Sequence, residues 1–323
     1  MTRIAVIGAG AFGRNHVRVV AENSRAQLTH VVDTNVKRAG DQAALYSAAG
    51  AASIDEIIGQ VDAAIIAAPT SAHAEIGCRL LEAGIDVLVE KPIAVTLAEA
   101  DRLVETAARH GRILQVGHLE RFNPAILELE RLATLPLFFE IHRMSVFTLR
   151  SLDVDVVLDL MIHDLDIVLA LARAELSEIR AAGISILSPK VDIANVRLEF
   201  TDGCVANLTA SRVSTEKIRK LRVFQPGQYI SLDYAKQSAA VCTVGGDAGL
   251  AFDQLSIKTG EPLKLQLDAF LDAVETRNPP KLNGTVARRT LEVALAVLDR
   301  IEQHAGVVGK TLAAHTQATG WKP

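Results

Sequence analysis

Cysteine and aromatic side chains are scarce in this sequence. Its 323 residues include three cysteines, Cys78, Cys204 and Cys242, and aromatic residues make up 4% of the chain. Three widely separated cysteines match neither a disulfide framework nor the paired spacing of a zinc site, so we expect them to be buried apolar side chains. Charged residues also interrupt every apolar stretch before the roughly 18 residues that cross a bilayer. We therefore expect no disulfide scaffold, no metal site and no membrane insertion.

An excess of either charge is also lacking. The chain has 34 basic and 38 acidic residues, mixed along its length, and a formal net charge of -4. This mixture excludes a broad cationic field for nucleic acid, so the expected partners are small molecules. Because a strand-like run follows Met1 almost at once, with no basic leader before it, we expect a cytoplasmic protein.

The first part of the chain alternates short β-branched segments with alanine-rich amphipathic ones, which is typical of repeated βαβ units. We predict five strands, at residues 4–7, 28–32, 63–67, 86–89 and 113–116, separated by helices such as 72–83 and 97–110. Because these strands are apolar without alternation, helices should cover both faces of the sheet. The fold class expected for residues 1–120 is α/β, a doubly wound parallel sheet of the Rossmann type.

After Gly117 the pattern changes to consecutive strands joined by short turns. Helices are predicted at residues 122–133 and 154–172, with a strand at 137–147 between them. Six more strands are predicted at residues 179–187, 191–200, 204–213, 218–224, 229–233 and 239–244, followed by helices at 263–276 and 285–305. Residues 121–323 should therefore form an α+β domain with a large open, mainly antiparallel sheet.

A glycine-rich turn follows the first predicted strand and precedes a helix. It reads Gly8-Ala9-Gly10-Ala11-Phe12-Gly13 and matches G-x-G-x-x-G. In this context the glycines permit a tight turn, close approach of a pyrophosphate and close helix packing, while the helix start offers free N–H groups. The turn therefore predicts a dinucleotide site, whose expected binding residues are Gly8, Gly10, Ala11, Phe12 and Gly13.

The second predicted strand ends at Asp33, about 20 residues past the glycines, where a carboxylate can accept hydrogen bonds from the adenosine ribose. A carboxylate there would repel and crowd a 2′-phosphate, so NAD is the expected cofactor rather than NADP. Lys37 and Arg38 lie nearby and could partly offset that repulsion, although basic residues opening a helix are more often solvated.

Two further strand ends should lie at the same edge of the sheet, because ligands of doubly wound sheets bind across the carboxyl ends of the strands. One carries Pro69 and Thr70, with His73 in the first turn of the next helix. The other carries Glu90 and Lys91 before Pro92. A lysine at a strand end is usually solvated, but this one lies at the expected mouth of the cofactor cleft, and the proline restricts its backbone. We include Pro69, Thr70, His73, Glu90 and Lys91 among the cofactor-binding candidates.

Asp159 and His163 are four residues apart in an otherwise apolar helical segment. This spacing places both side chains on one helix face, within reach of each other or of one ligand. A buried polar pair with a packing role is the alternative. In either case ionisable groups in an apolar helix need a partner.

Taken together, these motifs resemble the glucose-fructose oxidoreductase/inositol dehydrogenase/MocA family. The motifs are the glycine turn, the Pro-x-x-x-His segment from Pro69 to His73, Glu90-Lys91-Pro92 and the Asp159/His163 pair. The resemblance covers essentially the whole chain. It implies an oxidoreductase with a Rossmann domain, a C-terminal domain on a large open sheet, NAD(P) as cofactor and usually a polyol or sugar derivative as substrate.

One segment departs from the family pattern. Many members have glycines just before and within the Asp-x-x-x-His segment, where this chain has Val156, Val157, Leu160 and Met161. The wall of the active site is therefore expected to be bulkier or differently placed than in members that act on free sugars.

A narrower resemblance is to the UDP-N-acetylglucosamine 3-dehydrogenase branch of that family, which takes part in making amino-sugar-modified lipid A. It rests on residues 116–124 and 143–163. It implies that a nucleotide sugar is oxidised at a ring hydroxyl to its 3-keto form. Cationic side chains would then bind the diphosphate, and the predicted substrate-binding residues are Arg121, Arg143 and Arg150 together with Asp159 and His163. Further candidates are Arg212, Lys217 and Arg219. Of the basic residues named, we expect no more than two or three to touch the ligand.

The chemistry of alcohol oxidation suggests roles for three residues. His163 is the predicted general base, because imidazole titrates near neutral pH, and Asp159 would orient it. Lys91 would donate a hydrogen bond to the reacting oxygen and stabilise alkoxide character. In an alternative, Lys91 accepts the proton and His163 relays it.

Other functions remain open at this point. They are a free polyol or sugar dehydrogenase of the inositol dehydrogenase type, an NAD-dependent glycosidase of the same superfamily, and a non-catalytic NAD-binding regulator. The presence of Lys91, Asp159 and His163 together argues against the regulator. We also expect a homo-oligomer, a dimer or a tetramer, formed through the C-terminal sheet.

Overall fold

The structure, a computed structural model, describes residues 1–148, 154–245 and 249–319. The chain divides into two compact units. The first joins Met1–Phe122 to Gly260–Leu291, and the second joins Asn123–Thr259 to the residues from Glu292 onward.

The first unit contains a sheet of six parallel strands. The strands are β1 (Thr2–Ile7), β2 (Ala26–Val32), β3 (Ala49–Ala51), β4 (Ala63–Ile66), β5 (Asp86–Glu90) and β6 (Leu114–Gly117). Their order is β3-β2-β1-β4-β5-β6, and all five neighbouring pairs are parallel. Every residue of β4 and β5 is buried, as expected for strands covered on both faces.

Helices connect these strands, and two of them, the second and the fourth, begin at a side chain that caps the helix. They are α1 (Gly13–Glu22), α2 (Val36–Ala44), α3 (His73–Glu82) and α4 (Leu97–Arg109). The Thr96 side chain accepts a hydrogen bond from the backbone N–H of Glu99, and the Glu99 carboxylate accepts one from the backbone N–H of Thr96. This capping box fixes the start of α4 because it satisfies two backbone donors that the helix leaves unpaired.

A helix from far along the chain completes the first unit. In α7 (Pro262–Thr276), Leu263, Leu267 and Phe270 belong to the same buried cluster as Val6 and Val17. The sequence placed residues 263–276 in the second domain, whereas their contacts lie with the parallel sheet. Helical periodicity indicates that one face is buried but does not identify the element it packs against.

The second unit is built on a sheet of eight strands. They are β7 (Phe138–Val146), β8 (Leu176–Ile184), β9 (Ile193–Phe200), β10 (Val205–Ser214), β11 (Ile218–Gln225), β12 (Gln228–Asp233), β13 (Ser238–Gly245) and β14 (Gly249–Gln254). Their order is β14-β13-β12-β11-β7-β10-β9-β8, and only β7 and β10 pair in parallel within the described residues. The expected fold class, a Rossmann sheet followed by a mainly antiparallel open sheet, is confirmed.

Helices cover one face of this sheet. They are α5 (Pro124–Leu132), α6 (Ile162–Leu171) and the later part of α8 (Gly284–Thr319), which contains the boundary between the two units. Phe139 and Ile141 of β7 are buried in a cluster with Leu165 and Val168 of α6. Alternate residues of β7 face away from this core, so the other face of the sheet is accessible.

Cys78 and Cys204 are buried, as expected, whereas Cys242 is only partly buried. Burial raises the pKa of the Cys204 thiol to about 11, so this thiol is protonated at neutral pH. None of the helices in the part of the chain described here combines the length and apolar character needed to span a membrane.

Candidate functional site

The loop between β1 and α1 is shaped by contacts that only glycine permits. Gly8 has a φ of +94°, and a Cβ there would lie 2.6 Å from the carbonyl oxygen of Ala67. A Cβ at Gly13 would lie 1.7 Å from the carbonyl oxygen of Gly8. The turn, the start of α1 and the end of β4 therefore pack too closely for side chains at these two positions.

Gly10 serves a different purpose. A Cβ at Gly10 would meet no protein atom within 4 Å, so neighbouring protein atoms do not require glycine at this position. The open space belongs to a cleft of about 550 Å³ whose lining includes Gly8, Gly10, Asp33 and Pro69. Open space over the backbone at a helix start is what the close approach of a pyrophosphate requires. The residues present thus fit a dinucleotide.

Three further predicted residues, Ala11, Phe12 and Thr70, lie close in sequence to residues that line the cleft but do not line it themselves. Ala11 and Phe12 are exposed next to the turn, and Thr70 follows Pro69 in a short 3₁₀ turn. Ser53, in the loop after β3, also lines the cleft. This residue was not predicted from the sequence because β3 itself was not predicted. Further lining residues that were not predicted are Thr34, Ala52, Ile54, Ala72, Glu75, Ile76 and Arg79.

Asp33 is hydrogen-bonded to the glycine turn and also lines the cleft. Its carboxylate accepts hydrogen bonds from the backbone N–H groups of Ala9, at 2.9 Å, and Asn35, at 2.8 Å. The Arg38 guanidinium lies 3.5 Å from it, and the Asp33 side chain is 8% exposed. Asp33 therefore positions the glycine turn, and Arg38 brings positive charge to the place where the adenosine ribose is expected.

His73 links the ends of two strands. One ring nitrogen lies 2.9 Å from the carbonyl oxygen of Pro92, and the other lies 3.0 Å from that of Ala68. A neutral imidazole can donate to one of these oxygens at a time. Burial lowers the pKa of His73 and outweighs the two carbonyl contacts, which raise it. At 1% exposure, His73 supports the loops from within and does not itself line the cleft.

Glu90 and Lys91 have different surroundings although they are neighbours. The Glu90 carboxylate lies 2.8 Å from Nε2 of His16 in α1, and the two side chains are 10% and 1% exposed. Lys91 is partly exposed at the end of β5 and precedes a cis peptide bond to Pro92. Glu90 is thus directed into the unit, and Lys91 is the more accessible residue of this pair.

Asp159 lies in an unusual helical segment. Residues Val157–Met161 form a π-helix, which leads directly into α6, where His163 is the second residue. The sequence predicted one continuous α-helix over residues 154–172. A π-turn adds a residue to the helical repeat, and such turns are frequent at functional sites. Asp159 and His163 are both partly exposed, and the four-residue spacing keeps them on neighbouring positions of the helical surface.

Arg143 is committed to a buried ion pair. Its Nε and Nη2 lie 2.7 Å and 2.9 Å from the two carboxylate oxygens of Asp164, which directly follows His163. The side chains of Arg143 and Asp164 are 3% and 2% exposed, and the guanidinium lies 5.4 Å from the centre of the Tyr234 ring. The resemblance implied that Arg143 binds a substrate phosphate, whereas in the structure Arg143 holds the start of α6 to β7.

The other predicted cations differ in accessibility. Arg121 is 6% exposed, and Arg212 is also 6% exposed, bonded to the carbonyl oxygen of Val154 and 3.9 Å from Asp192. Lys217 is exposed and Arg219 is partly exposed. Arg150 lies outside the described residues. Among the candidates described, Lys217 and Arg219 are the most accessible to a ligand.

Comparison with known proteins agrees with these features. Residues 2–118 match the model of an oxidoreductase family with an NAD-binding Rossmann fold, and residues 138–225 match the GFO/IDH/MocA C-terminal domain. The chain is 36% identical over 306 residues to UDP-N-acetylglucosamine 3-dehydrogenase of Acidithiobacillus ferrooxidans, covering 93% of this chain and 97% of that protein. It is 26% identical to scyllo-inositol 2-dehydrogenase (NAD(+)) of Bacillus subtilis, covering 91% and 92% of the two chains.

A solved structure of the Acidithiobacillus ferrooxidans UDP-N-acetylglucosamine 3-dehydrogenase superposes with a TM-score of 0.89 at 34% identity, covering 94% of this chain and 98% of that one. The similarity thus extends through both units, as the sequence resemblance implied. With its glycine turn, cofactor cleft and open sheet, this chain belongs to the Gfo/Idh/MocA family of NAD-binding oxidoreductases.

Proposed function

We propose that this enzyme oxidises the 3-hydroxyl of UDP-N-acetylglucosamine to a ketone, with NAD as the oxidant. The observation that carries the proposal is the similarity to a UDP-N-acetylglucosamine 3-dehydrogenase over 93% of the chain, at 36% identity. Full-length similarity includes the second unit, to which the proposal assigns the sugar-nucleotide contacts. The inositol dehydrogenase that also matches over the full length has 26% identity, which favours the nucleotide sugar.

The proposed chemistry uses three side chains. His163 removes the hydroxyl proton, and Asp159 orients its imidazole from the π-helix. Lys91 donates a hydrogen bond to the reacting oxygen and stabilises alkoxide character. NAD, when bound, accepts the hydride from the carbon. The converse assignment, with Lys91 as proton acceptor and His163 as relay, uses the same residues.

We assign the diphosphate to cations of the second unit. Arg219 and Lys217 are proposed first because they are accessible, and Arg150 stays a prediction from the sequence. Losing one charged hydrogen bond of this kind costs about 1.5–3 kcal/mol. Arg219→Met should therefore raise the KM for the nucleotide sugar roughly 10- to 150-fold, with a smaller change in turnover. Lys220→Met is the matched control, since the neighbouring residue of β11 points to the opposite face of the sheet.

The decisive assay compares three substrates at equal concentration with NAD. They are UDP-N-acetylglucosamine, free N-acetylglucosamine and myo-inositol, each with a ketone trap because ketone formation can be unfavourable. We expect NADH from the nucleotide sugar and very little from the other two, because they lack the diphosphate. NADH from inositol with none from the nucleotide sugar would instead identify a polyol dehydrogenase.

Cofactor preference provides a separate prediction. Wild-type enzyme should bind NAD more tightly than NADP, because the Asp33 carboxylate repels a 2′-phosphate. Asp33→Ser should narrow the difference, weakening NAD binding while leaving Arg38 available to a phosphate. Titration of both cofactors by fluorescence measures this. Tighter binding of NADP by the wild type would contradict it.

We also propose that the enzyme is a homo-oligomer formed through the accessible face of its eight-stranded sheet. A row of side chains crosses five strands in register on this face, namely Phe138, Phe224, Tyr229, Cys242 and Phe252. Phe224 contacts the rings of Phe138 and Tyr229 and is 39% exposed, while Phe252 is 71% exposed. Contiguous exposed apolar surface of this kind is typical of interaction sites.

The charges beside this row favour a second copy as the partner. Arg222 and Glu140 pair at 2.9 Å, and Arg197 and Glu199 pair at 2.9 Å, on the same face. Neighbouring charges of both signs can be complementary to the same charges of a second copy across a two-fold axis.

Light scattering tests the oligomer. Phe252→Asp should lower the molar mass of the particle, whereas Leu45→Asp, at a residue 67% exposed in the first unit, should leave it unchanged. A monomeric wild type, or an equal effect of both variants, would contradict the proposal. A cytoplasmic location and a role in making amino-sugar-modified lipid A stay predictions from the resemblance.

A further inference from the structure

We propose that His16 and Glu90 form a positioning pair that fixes Lys91 relative to α1, the helix at whose start the cofactor diphosphate would bind. The proposal rests on the role given to Lys91 in the proposed function. Neither His16 nor Glu90 is assigned a chemical step.

The geometry joins two parts of the first unit that are far apart in sequence. His16 is the fourth residue of α1, and Glu90 is the last residue of β5. Nε2 of His16 lies 2.8 Å from Oε1 of Glu90. The side chains are 1% and 10% exposed. Burial of a carboxylate is costly unless it is hydrogen-bonded, so this contact holds the end of β5 to α1.

The carboxylate has little freedom to turn elsewhere. Gly117 of β6 is in register with Glu90, and a Cβ at Gly117 would lie 2.5 Å from its Oε1. Nε2 of Gln266 in α7 lies 3.5 Å from the same oxygen. The Glu90 carboxylate is therefore enclosed by α1, β6 and α7. Glycine at residue 117 is explained by the space that this carboxylate occupies.

Anchoring Glu90 has a direct effect on its neighbour. Lys91 is the first residue after β5 and precedes Pro92, which restricts its backbone, so fixing Glu90 also fixes the point from which the Lys91 side chain extends. On the other side of the pair, the His16 ring meets the Phe12 ring edge-on, with 5.3 Å between centroids. Phe12 belongs to the glycine turn. The pair thus connects the turn that would hold the diphosphate to the strand end that carries the lysine.

If the pair positions Lys91, breaking it should lower the turnover of the folded enzyme, which a loss of stability alone would not do. Glu90→Leu should lower kcat about 10- to 100-fold, the range expected when a catalytic group is displaced by about 1 Å. The Kd for NAD should change little, because the cleft residues remain. Glu90→Gln, which keeps an oxygen at the same place, should recover most of the turnover.

The matched control is at the other end of the same strand. Asp86, the first residue of β5, is buried and paired with Arg277 at 3.1 Å through Nη2. Asp86→Asn should lower the melting temperature and leave kcat unchanged. Equal loss of kcat in Asp86→Asn and Glu90→Leu would show a general loss of stability and would overturn the inference.

A double-variant comparison shows whether the pair acts through Lys91. If it does, Glu90→Leu combined with Lys91→Ala should lose no more turnover than Lys91→Ala alone. Additive losses would overturn the inference. Normal turnover in Glu90→Leu, together with impaired turnover in Lys91→Ala, would also overturn the inference but would leave the proposed function intact. Normal turnover in Lys91→Ala would overturn both the inference and the role of Lys91 in the proposed function.

His16→Phe is a second variant, for use if Glu90→Leu does not fold. It keeps the ring contact with Phe12, removes the hydrogen bond to Glu90 and should give the same kinetic result.

Discussion

Lys91→Ala and His163→Ala are each expected to lower turnover by about two to four orders of magnitude, the usual range for groups that act in proton transfer. NAD binding should be nearly unchanged, because the glycine turn and Asp33 remain in place. Steady-state rates with the nucleotide sugar, together with a fluorescence titration of NAD, measure both quantities. The expected result is a large fall in kcat at nearly constant cofactor affinity.

Asp159→Asn is a milder substitution with which the turnover of these two variants can be compared. It keeps the shape of the side chain and a hydrogen-bonding oxygen, so it should reduce turnover less than His163→Ala. Near-normal turnover of Lys91→Ala at saturating substrate would show that the lysine does not act on the reacting oxygen. A larger loss in Asp159→Asn than in His163→Ala would instead make the aspartate the principal base.

The second large effect concerns stability. Arg143→Met should reduce the free energy of unfolding by about 3–5 kcal/mol, because it leaves the Asp164 carboxylate buried without the guanidinium. Urea unfolding followed by circular dichroism measures this. Arg131→Met is the matched control, since the Arg131–Glu128 pair on α5 is accessible to water, and such pairs contribute about 0–1 kcal/mol.

Two outcomes separate the structural role of Arg143 from the ligand role that the sequence suggested. If the structural role is right, changing Asp164 to Leu in the Arg143→Met background should restore part of the stability, since the buried carboxylate that has lost its guanidinium is then removed as well. If Arg143→Met instead kept full stability and raised only the KM for the nucleotide sugar, Arg143 would be a phosphate ligand after all.

Local patterns were sufficient to predict the course of most strands and the glycine turn. The apolar runs in β1, β4 and β5 do not alternate with polar residues, which indicates burial on both faces of the sheet. The apolar residues of these runs are buried in the structure. β3 was missed because Ala49-Gly50-Ala51 has little β propensity. Its pairing with β2, which no local signal specifies, makes it a strand.

Side-chain partners were much harder to predict than strands. Arg143 in a strand has the same local sequence signal whether it meets a phosphate or a carboxylate 21 residues later in the chain. The apolar helical pattern around Asp159 did not indicate a π-helix, because one additional residue per turn leaves the composition of the segment unchanged. His16 also lay outside every motif considered, although its partner Glu90 was within one.

The late position of α7 in the chain affects how the enzyme can be made. While the ribosome is still synthesising the second unit, the parallel sheet lacks the helix that carries Phe270, which is 0% exposed in the complete fold. An apolar area of the nascent protein, around Val6 and Val17, therefore stays uncovered until α7 has been translated, well after the strands of the parallel sheet. Chaperones that bind exposed apolar segments would have their longest opportunity at this surface, and a fragment ending near residue 120 should aggregate.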